Sequence, residues 1–288
     1  MKIGFLGFGE AARAFHEGLA RPGFTFLAHD LKLGDRGSDM RAAMTGRGVA
    51  VCDAISGLAE ADWVFSAVTA DQSLLAIKPL LPHLRQGQLV IDINSVSPDR
   101  KRQTSAAVEE AGARYVDMAV MAPVHPRRHQ TPVLIASPDA AQLLPELVEL
   151  GFSAAIAGER PGAATAIKMV RSLFVKGLEA ITVETLLAAE ASGCFDEILT
   201  SISGSYPGLD WPRFAEYQFE RTTTHGRRRA AEMRESAATL DALGLHGALA
   251  DAIADVQQRM GEAGRQVKGD LRDIIGAVLA ARLGSPDA

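Results

Sequence analysis

Apolar and polar positions change rhythm once along this chain. Up to about residue 160, short apolar runs at 2–6, 24–29, 63–68, 89–93, 114–117 and 133–136 alternate with longer mixed stretches such as 11–20, 71–78 and 97–111. Short apolar runs bounded by turn formers read as buried strands, and strands alternating with helices predict βαβ units around a parallel sheet. Ser97-Pro98 supplies an N-cap followed by a proline at the first helical position, where no amide hydrogen is needed. Arg160-Pro161-Gly162 breaks the pattern, and no strand-like run follows it. Helices are expected at 163–192, 195–203, 211–223, 227–243, 247–260 and 271–282, with a stop at Gly193 and a turn at Tyr206-Pro207-Gly208. The reading is therefore an α/β domain over 1–160 followed by an all-α domain over 161–288.

Composition sharpens the class without changing it. The 288 residues suit two domains, and 47% hydrophobic against 23% charged residues allow each a real core. Thirty basic and thirty-five acidic residues give a net charge of −5, so no basic field points to a nucleic-acid partner. Cys52 and Cys194 are far apart and lack ligand spacing, which excludes a disulfide framework and suits a reducing cytoplasm. No H-E-x-x-H or similar cluster occurs, and no metal is expected. No uncharged apolar run is long enough to span a bilayer. Residues 1–6 are interrupted by Glu10 and Arg13 too soon for a signal peptide.

The chemistry begins with Gly7-Phe8-Gly9-Glu10-Ala11-Ala12, a G-x-G-x-x-A pattern that follows the first strand and opens the first helix. Gly7 permits a tight turn, Gly9 lets the backbone approach a pyrophosphate, and small Ala12 lets helix and strand pack closely. The helix N-terminus then offers amide hydrogens and partial positive charge to the phosphates. Asp30 closes the second strand twenty-three positions after Gly7, where an acid meets the ribose hydroxyls of a dinucleotide. The first domain is thus read as a Rossmann domain. Asp30 favours NAD, because it repels a 2′-phosphate; Lys32 and Arg36 close by leave NADP open.

Two further motifs fit the same frame. Asp92-Ile93-Asn94-Ser95-Val96-Ser97-Pro98 matches D-x-S-T-x-S-P, and Gly162-Ala163-Ala164-Thr165-Ala166-Ile167-Lys168-Met169-Val170-Arg171-Ser172 matches G-x-G-x-x-x-K-x-x-N-N with the Gly-to-Lys spacing kept. With these, the chain resembles the β-hydroxyacid dehydrogenase family, which includes 3-hydroxyisobutyrate dehydrogenases and, more distantly, 6-phosphogluconate dehydrogenase. The resemblance implies reversible NAD(P)-dependent hydride transfer on a small molecule, with Lys168 as general acid/base. It implies a cofactor held by Gly7, Phe8, Gly9, Glu10, Ala11, Ala12, Asp30, Val68, Thr69, Asn94 and Ser95. The substrate would meet Ser95, Met121, Ala122, Arg171, Ser172 and His225. There are departures. The usual D-A-P-V-S-G-G loop is here Asp117-Met118-Ala119-Val120-Met121-Ala122-Pro123, and Arg171 stands where an asparagine is usual. The chain is similar to an atypical branch with a C-terminal domain of unknown function. Its more apolar loop points to a bulkier or less anionic substrate. Imine reduction and non-catalytic dinucleotide binding are the alternatives, and Lys168 speaks against the first.

On the helix expected at 163–192, Lys168, Arg171, Ser172 and Glu179 form a polar stripe opposite Ile167, Val170, Phe174, Leu178 and Ile181. That length, with an apolar stripe along it, predicts a homodimer. Two basic runs remain. His125, Arg127, Arg128 and His129 form either a solvated loop or an anion-binding lip. Residues 222–229, with His225, are expected between two helices, either solvated or reaching a partner's cleft.

Overall fold

The computed structural model describes residues 1–35, 37–263 and 269–283, so Arg36 lies outside the described residues. The chain forms two compact units, Met1–Met169 and Val170–Ala288. The division falls inside a helix rather than at the breaker near residue 160.

The first unit is built on β1 (Lys2–Leu6), β2 (Thr25–His29), β3 (Val49–Val51), β4 (Trp63–Ser66), β5 (Leu89–Asp92), β6 (Arg114–Val120), β7 (Val133–Ala136) and β8 (Ala154–Gly158). The helices between them are α1 (Glu10–Leu19), α2 (Met40–Thr45), α3 (Ser73–Ile77), α4 (Pro98–Glu110) and α5 (Ala140–Glu149). One sheet runs in the order β3-β2-β1-β4-β5-β6-β7-β8, the arrangement of a Rossmann-like domain. Ile3, Phe5, Phe15, Phe65 and Phe152 pack on one face, and Leu6, Leu27, Val64, Val90 and Tyr115 on the other. Burial on both faces is why these strands read as continuous apolar runs.

The pattern predicts a parallel sheet, but one pair departs from it: β6 and β7 are antiparallel. The connection between them, residues 121–132, contains no α-helix, whereas a parallel return usually runs through one. His129 in this connection is buried and meets Phe152 edge-on with centroids 5.4 Å apart. Burial, above all, holds its pKa below the ordinary histidine value. Arg128 faces Glu17 at 3.5 Å, while His125 and Arg127 are exposed. The run is therefore not one uniform basic lip.

The second unit is helical, as expected. α6 (Ala163–Ala191) begins in the first unit and continues into the second, followed by α7 (Phe195–Ser205), α8 (Trp211–Ala242), α9 (Ala248–Ala263) and α10 (Leu271–Leu283). The expected break at 222–227 is absent. α8 runs through it unbroken, so His225 is a mid-helix residue and not part of a loop. Gly226 is the reason. A Cβ there would lie 2.2 Å from the Gln257 carbonyl oxygen and 2.6 Å from the Gly261 nitrogen, and a Cβ on Gly261 would lie 2.6 Å from the Arg227 nitrogen. α8 and α9 meet backbone to backbone at this crossing, and glycine serves the close approach rather than a turn.

The polarity of α6 also differs from expectation. Ser172, Lys176 and Glu179 are buried. Glu179 accepts from Arg229 Nε and Gln257 Nε2, each at 3.0 Å, and from Arg229 Nη2 as well. Lys176 meets Glu232 at 2.9 Å and donates to Ser172 Oγ at 3.1 Å. The apolar stripe is the solvent face: Phe174 is 73% exposed, Ile181 66%, Val170 54% and Ile167 47%. No helix among the described residues is long and apolar enough to cross a membrane.

The glycine crossing makes a paired prediction. Gly226→Ala should lower unfolding stability by about 1–3 kcal/mol through overpacking. Gly276→Ala in α10, where an added Cβ meets nothing within 4 Å, should raise it by about 0.5–1 kcal/mol through helix propensity. Urea midpoints measure both, and a Gly226→Ala protein as stable as the parent contradicts the backbone contact.

Candidate active site

The glycine-rich turn takes the form its sequence requires. Gly7 adopts φ +85, and a Cβ there would lie 2.6 Å from the Ala67 carbonyl oxygen. Its amide donates to the His29 carbonyl at 2.8 Å, tying the turn to the end of β2. At Gly9 an added Cβ meets nothing within 4 Å, and no side chain caps α1 there. The first turn of α1, Glu10, Ala11 and Ala12, thus opens on a bare backbone surface with the positive end of the helix behind it. This fits a dinucleotide pyrophosphate. Ala12 is fully buried in the helix–sheet core. Phe8 departs from its expected role: its side chain is fully buried, 5.8 Å from the Phe5 ring, so only its backbone belongs to the loop.

Asp30 sits at the same turn. Oδ2 accepts the Phe8 amide at 2.8 Å and Oδ1 the Lys32 amide at 2.9 Å. Two backbone amides fix the carboxylate at the edge of the loop. A carboxylate has about four lone-pair sites, so acceptor capacity remains for hydroxyl donors.

The next strand ends are clamped together. Asn94, buried beyond β5, donates from Nδ2 to Ser66 Oγ at 2.9 Å and accepts the Val68 amide on Oδ1 at 2.7 Å. Its side chain joins the β4 and β5 loops, a structural use that the sequence reading did not foresee. Thr69 is exposed beside Val68. Ser95, the next residue after Asn94, is half-buried, and Lys168 Nζ donates to its Oγ at 2.6 Å. Two motifs more than seventy residues apart in sequence thus meet at the carboxyl ends of the strands, where open α/β sheets bind ligands.

The pair rests on a buried polar cluster that pattern reading missed. Asp117 Oδ2 accepts the amides of Gly162 and Thr165 at 3.0 Å each, capping the start of α6 one turn before Lys168. Thr165 Oγ1 donates to the Val96 carbonyl at 2.8 Å. Asp92 and Asp117 are opposite one another in the β5–β6 register. Lys101 Nζ lies 3.0 Å from Asp92 Oδ1 and 3.3 Å from Asp117 Oδ1, with all three side chains fully buried. Tyr115 donates its hydroxyl to Asp92 Oδ2 at 2.7 Å. Burial, with Asp92 and Asp117 alongside, pushes its pKa well above the ordinary tyrosine value, so it stays a donor. A signal for Lys101 existed in the sequence: it shares the helical spacing of buried Pro98, Ser105 and Val108 on α4.

The other expected substrate residues are distributed differently. The Met121 amide is tied to the Pro132 carbonyl at 2.9 Å, while Ala122 and Pro123 are exposed. Arg171 (exposed), Ser172 (buried) and His225 (half-buried) belong to the second unit. Glu179 is paired with Arg229, and Asp117 with Lys101.

Residues 2–142 match the NAD binding domain of 6-phosphogluconate dehydrogenase, and residues 189–260 match a domain of unknown function, DUF1932. A conserved hypothetical protein from Sinorhizobium meliloti 1021 is 34% identical, covering 98% of this chain and 96% of its own, with a TM-score of 0.74. The chain belongs to the β-hydroxyacid dehydrogenase family, in the branch that carries DUF1932. A conserved protein of unknown function, MTH1747, described as structurally similar to 3-hydroxyacid dehydrogenases, is 28% identical over 90% of this chain and 98% of its own, with a TM-score of 0.67. The 2-(hydroxymethyl)glutarate dehydrogenase of Eubacterium barkeri is 24% identical over 76% of this chain and 73% of its own length.

Proposed function

We propose that this family member is an NAD(P)-dependent oxidoreductase that moves a hydride between the nicotinamide and a hydroxyl-bearing carbon of a β-hydroxyacid or related alcohol. The observation that carries the reading is the 2.6 Å contact between Lys168 Nζ and Ser95 Oγ, on the same unit and sheet end as the open turn at Gly9. When bound, the cofactor supplies the hydride acceptor, or the donor in the reverse direction. Gly7–Ala12 would hold its pyrophosphate and Asp30 its ribose. Lys168 stabilises the developing charge on the substrate oxygen, takes the hydroxyl proton in oxidation and returns it in reduction. Ser95 fixes the lysine amine and, from the same side, orients the substrate oxygen.

The substrate follows from the altered loop. With the Met121 amide committed to Pro132 and no amide hydrogen on Pro123, fewer backbone donors remain there for a carboxylate. A bulkier or less anionic substrate than 3-hydroxyisobutyrate fits this loop. Two free thiols, Cys52 and Cys194, suit a reducing cytoplasm.

Three measurements follow. Lys168→Ala should lower kcat by about 10²-fold or more on whichever of a panel of hydroxyacids, aldehydes and imines the parent turns over. NADH affinity should stay close to that of the parent, and a folded variant that keeps most of its kcat contradicts the assignment. Next, Asp30 should make NADH bind more tightly than NADPH, with Asp30→Ala narrowing the gap; titrations showing tighter NADPH binding by the parent would reverse the cofactor reading. Finally, the exposed α6 stripe should be covered by a second copy of the chain. Light scattering should report a dimer at micromolar concentration and a monomer for Phe174→Asp, and a monomeric parent would exclude the pairing.

A further inference from the structure

Lys101 is fully buried, and the segments that carry Ser95 and Lys168 are both anchored on it. Its Nζ donates to the Asp92 carbonyl at 2.6 Å and lies 3.0 Å from Asp92 Oδ1. That oxygen also accepts the Asn94 amide at 2.8 Å, which sets the turn leading into Ser95. On the other side Nζ lies 3.3 Å from Asp117 Oδ1, whose second oxygen caps α6 through Gly162 and Thr165. Asp117 Oδ1 has no hydrogen-bond donor among the described residues. The Lys101 ammonium is the cation that answers it. Two carboxylates and one ammonium leave the cluster at net −1, and the positive end of α6 offsets part of the remainder at Asp117.

The arrangement is costly unless it does something. Three fully buried charged groups carry a desolvation penalty, and apolar residues of similar volume would often be as stable. What apolar residues could not do is hold two in-register carboxylates side by side on neighbouring strands. Each carboxylate is committed to one partner of the Ser95–Lys168 pair: Asp92 to the β5 turn, Asp117 to the start of α6.

We propose that Lys101 is a positioning residue for the Ser95–Lys168 pair, its buried ammonium balancing the paired charge of Asp92 and Asp117 so that Asp92 can hold the β5 turn and Asp117 the N-terminus of α6 without repelling each other. The proposal concerns geometry, and it rests on the reading of Lys168 as acid/base only where turnover is concerned.

The test separates charge from packing. Lys101→Met keeps the length and removes the ammonium. Combining Lys101→Met with Asp117→Asn also removes the carboxylate left unmatched, while the amide oxygen of the new side chain can still accept from Gly162 and Thr165. The first readout needs no substrate: acetic anhydride labelling of Lys168 in the folded protein, followed by peptide mass spectrometry. Lys101→Met should label Lys168 more than about threefold faster than the parent, as a local contact opens, and the double variant should return to the parental rate. A folded Lys101→Met protein with parental labelling overturns the proposal, as does a double variant that labels as fast as the single. Should Lys101→Met not fold, a folded double variant with parental labelling supports the proposal, and a double variant that also fails to fold overturns it.

The second readout is kcat on a substrate the parent turns over. A misplaced acid/base should cost about 10-fold to 10²-fold in kcat, with KM and NADH affinity little changed, and the double variant should recover most of it. Faster labelling with unchanged kcat supports the positioning role and tells against Lys168 as acid/base, so the two claims fail separately.

Discussion

Two aspartates facing each other in register on β5 and β6, both fully buried, are a repulsion that the first unit has to answer. In a dry interior a pair of like charges at such range is far more costly than in water. The answer is an ammonium from α4 between them and a helix N-terminus against one of them. The active-site candidates hang on this solution. The turn beyond β5 is pinned where Ser95 can meet Lys168, and α6 starts where its first turns bring that lysine to the carboxyl end of the sheet.

The second unit solves its own electrostatic problem in the opposite style. A helix face bearing Ser172, Lys176 and Glu179 would ordinarily be solvated. Here it turns inward, because α8 offers Arg229 and Glu232 and α9 offers Gln257. Buried pairs of this kind add little net stability, but breaking one costs about 3–5 kcal/mol, so they specify which face of α6 points in. The consequence is that the apolar stripe around Phe174 faces outward.

Much of the fold was legible because burial on both faces of a sheet leaves uninterrupted apolar runs. β1, β2, β5 and β7 were readable within a residue or so of their ends for that reason. β3 has three residues, and β8 is alanine-rich and largely uncovered, so neither leaves such a run. The antiparallel step at β7 left only a negative trace, the missing helix before it. The break expected at 222–227 went wrong because glycine carries two meanings, a turn or a close approach. Only the neighbouring helix, with Gly261 and the Gln257 carbonyl, says which.

The sequence by itself determined the alternation of strands and helices, the glycine turn with its acid at Asp30, and the motif that singles out Lys168. These are local matters: a φ above zero, a periodicity, a spacing within one element. Which charged residues would be buried was decided by the tertiary structure. Lys101, Asp92, Asp117 and Glu179 carry the same charges in sequence as any solvated residue. Their partners come from strands and helices elsewhere in the chain, and only folding removes the water that would otherwise answer them.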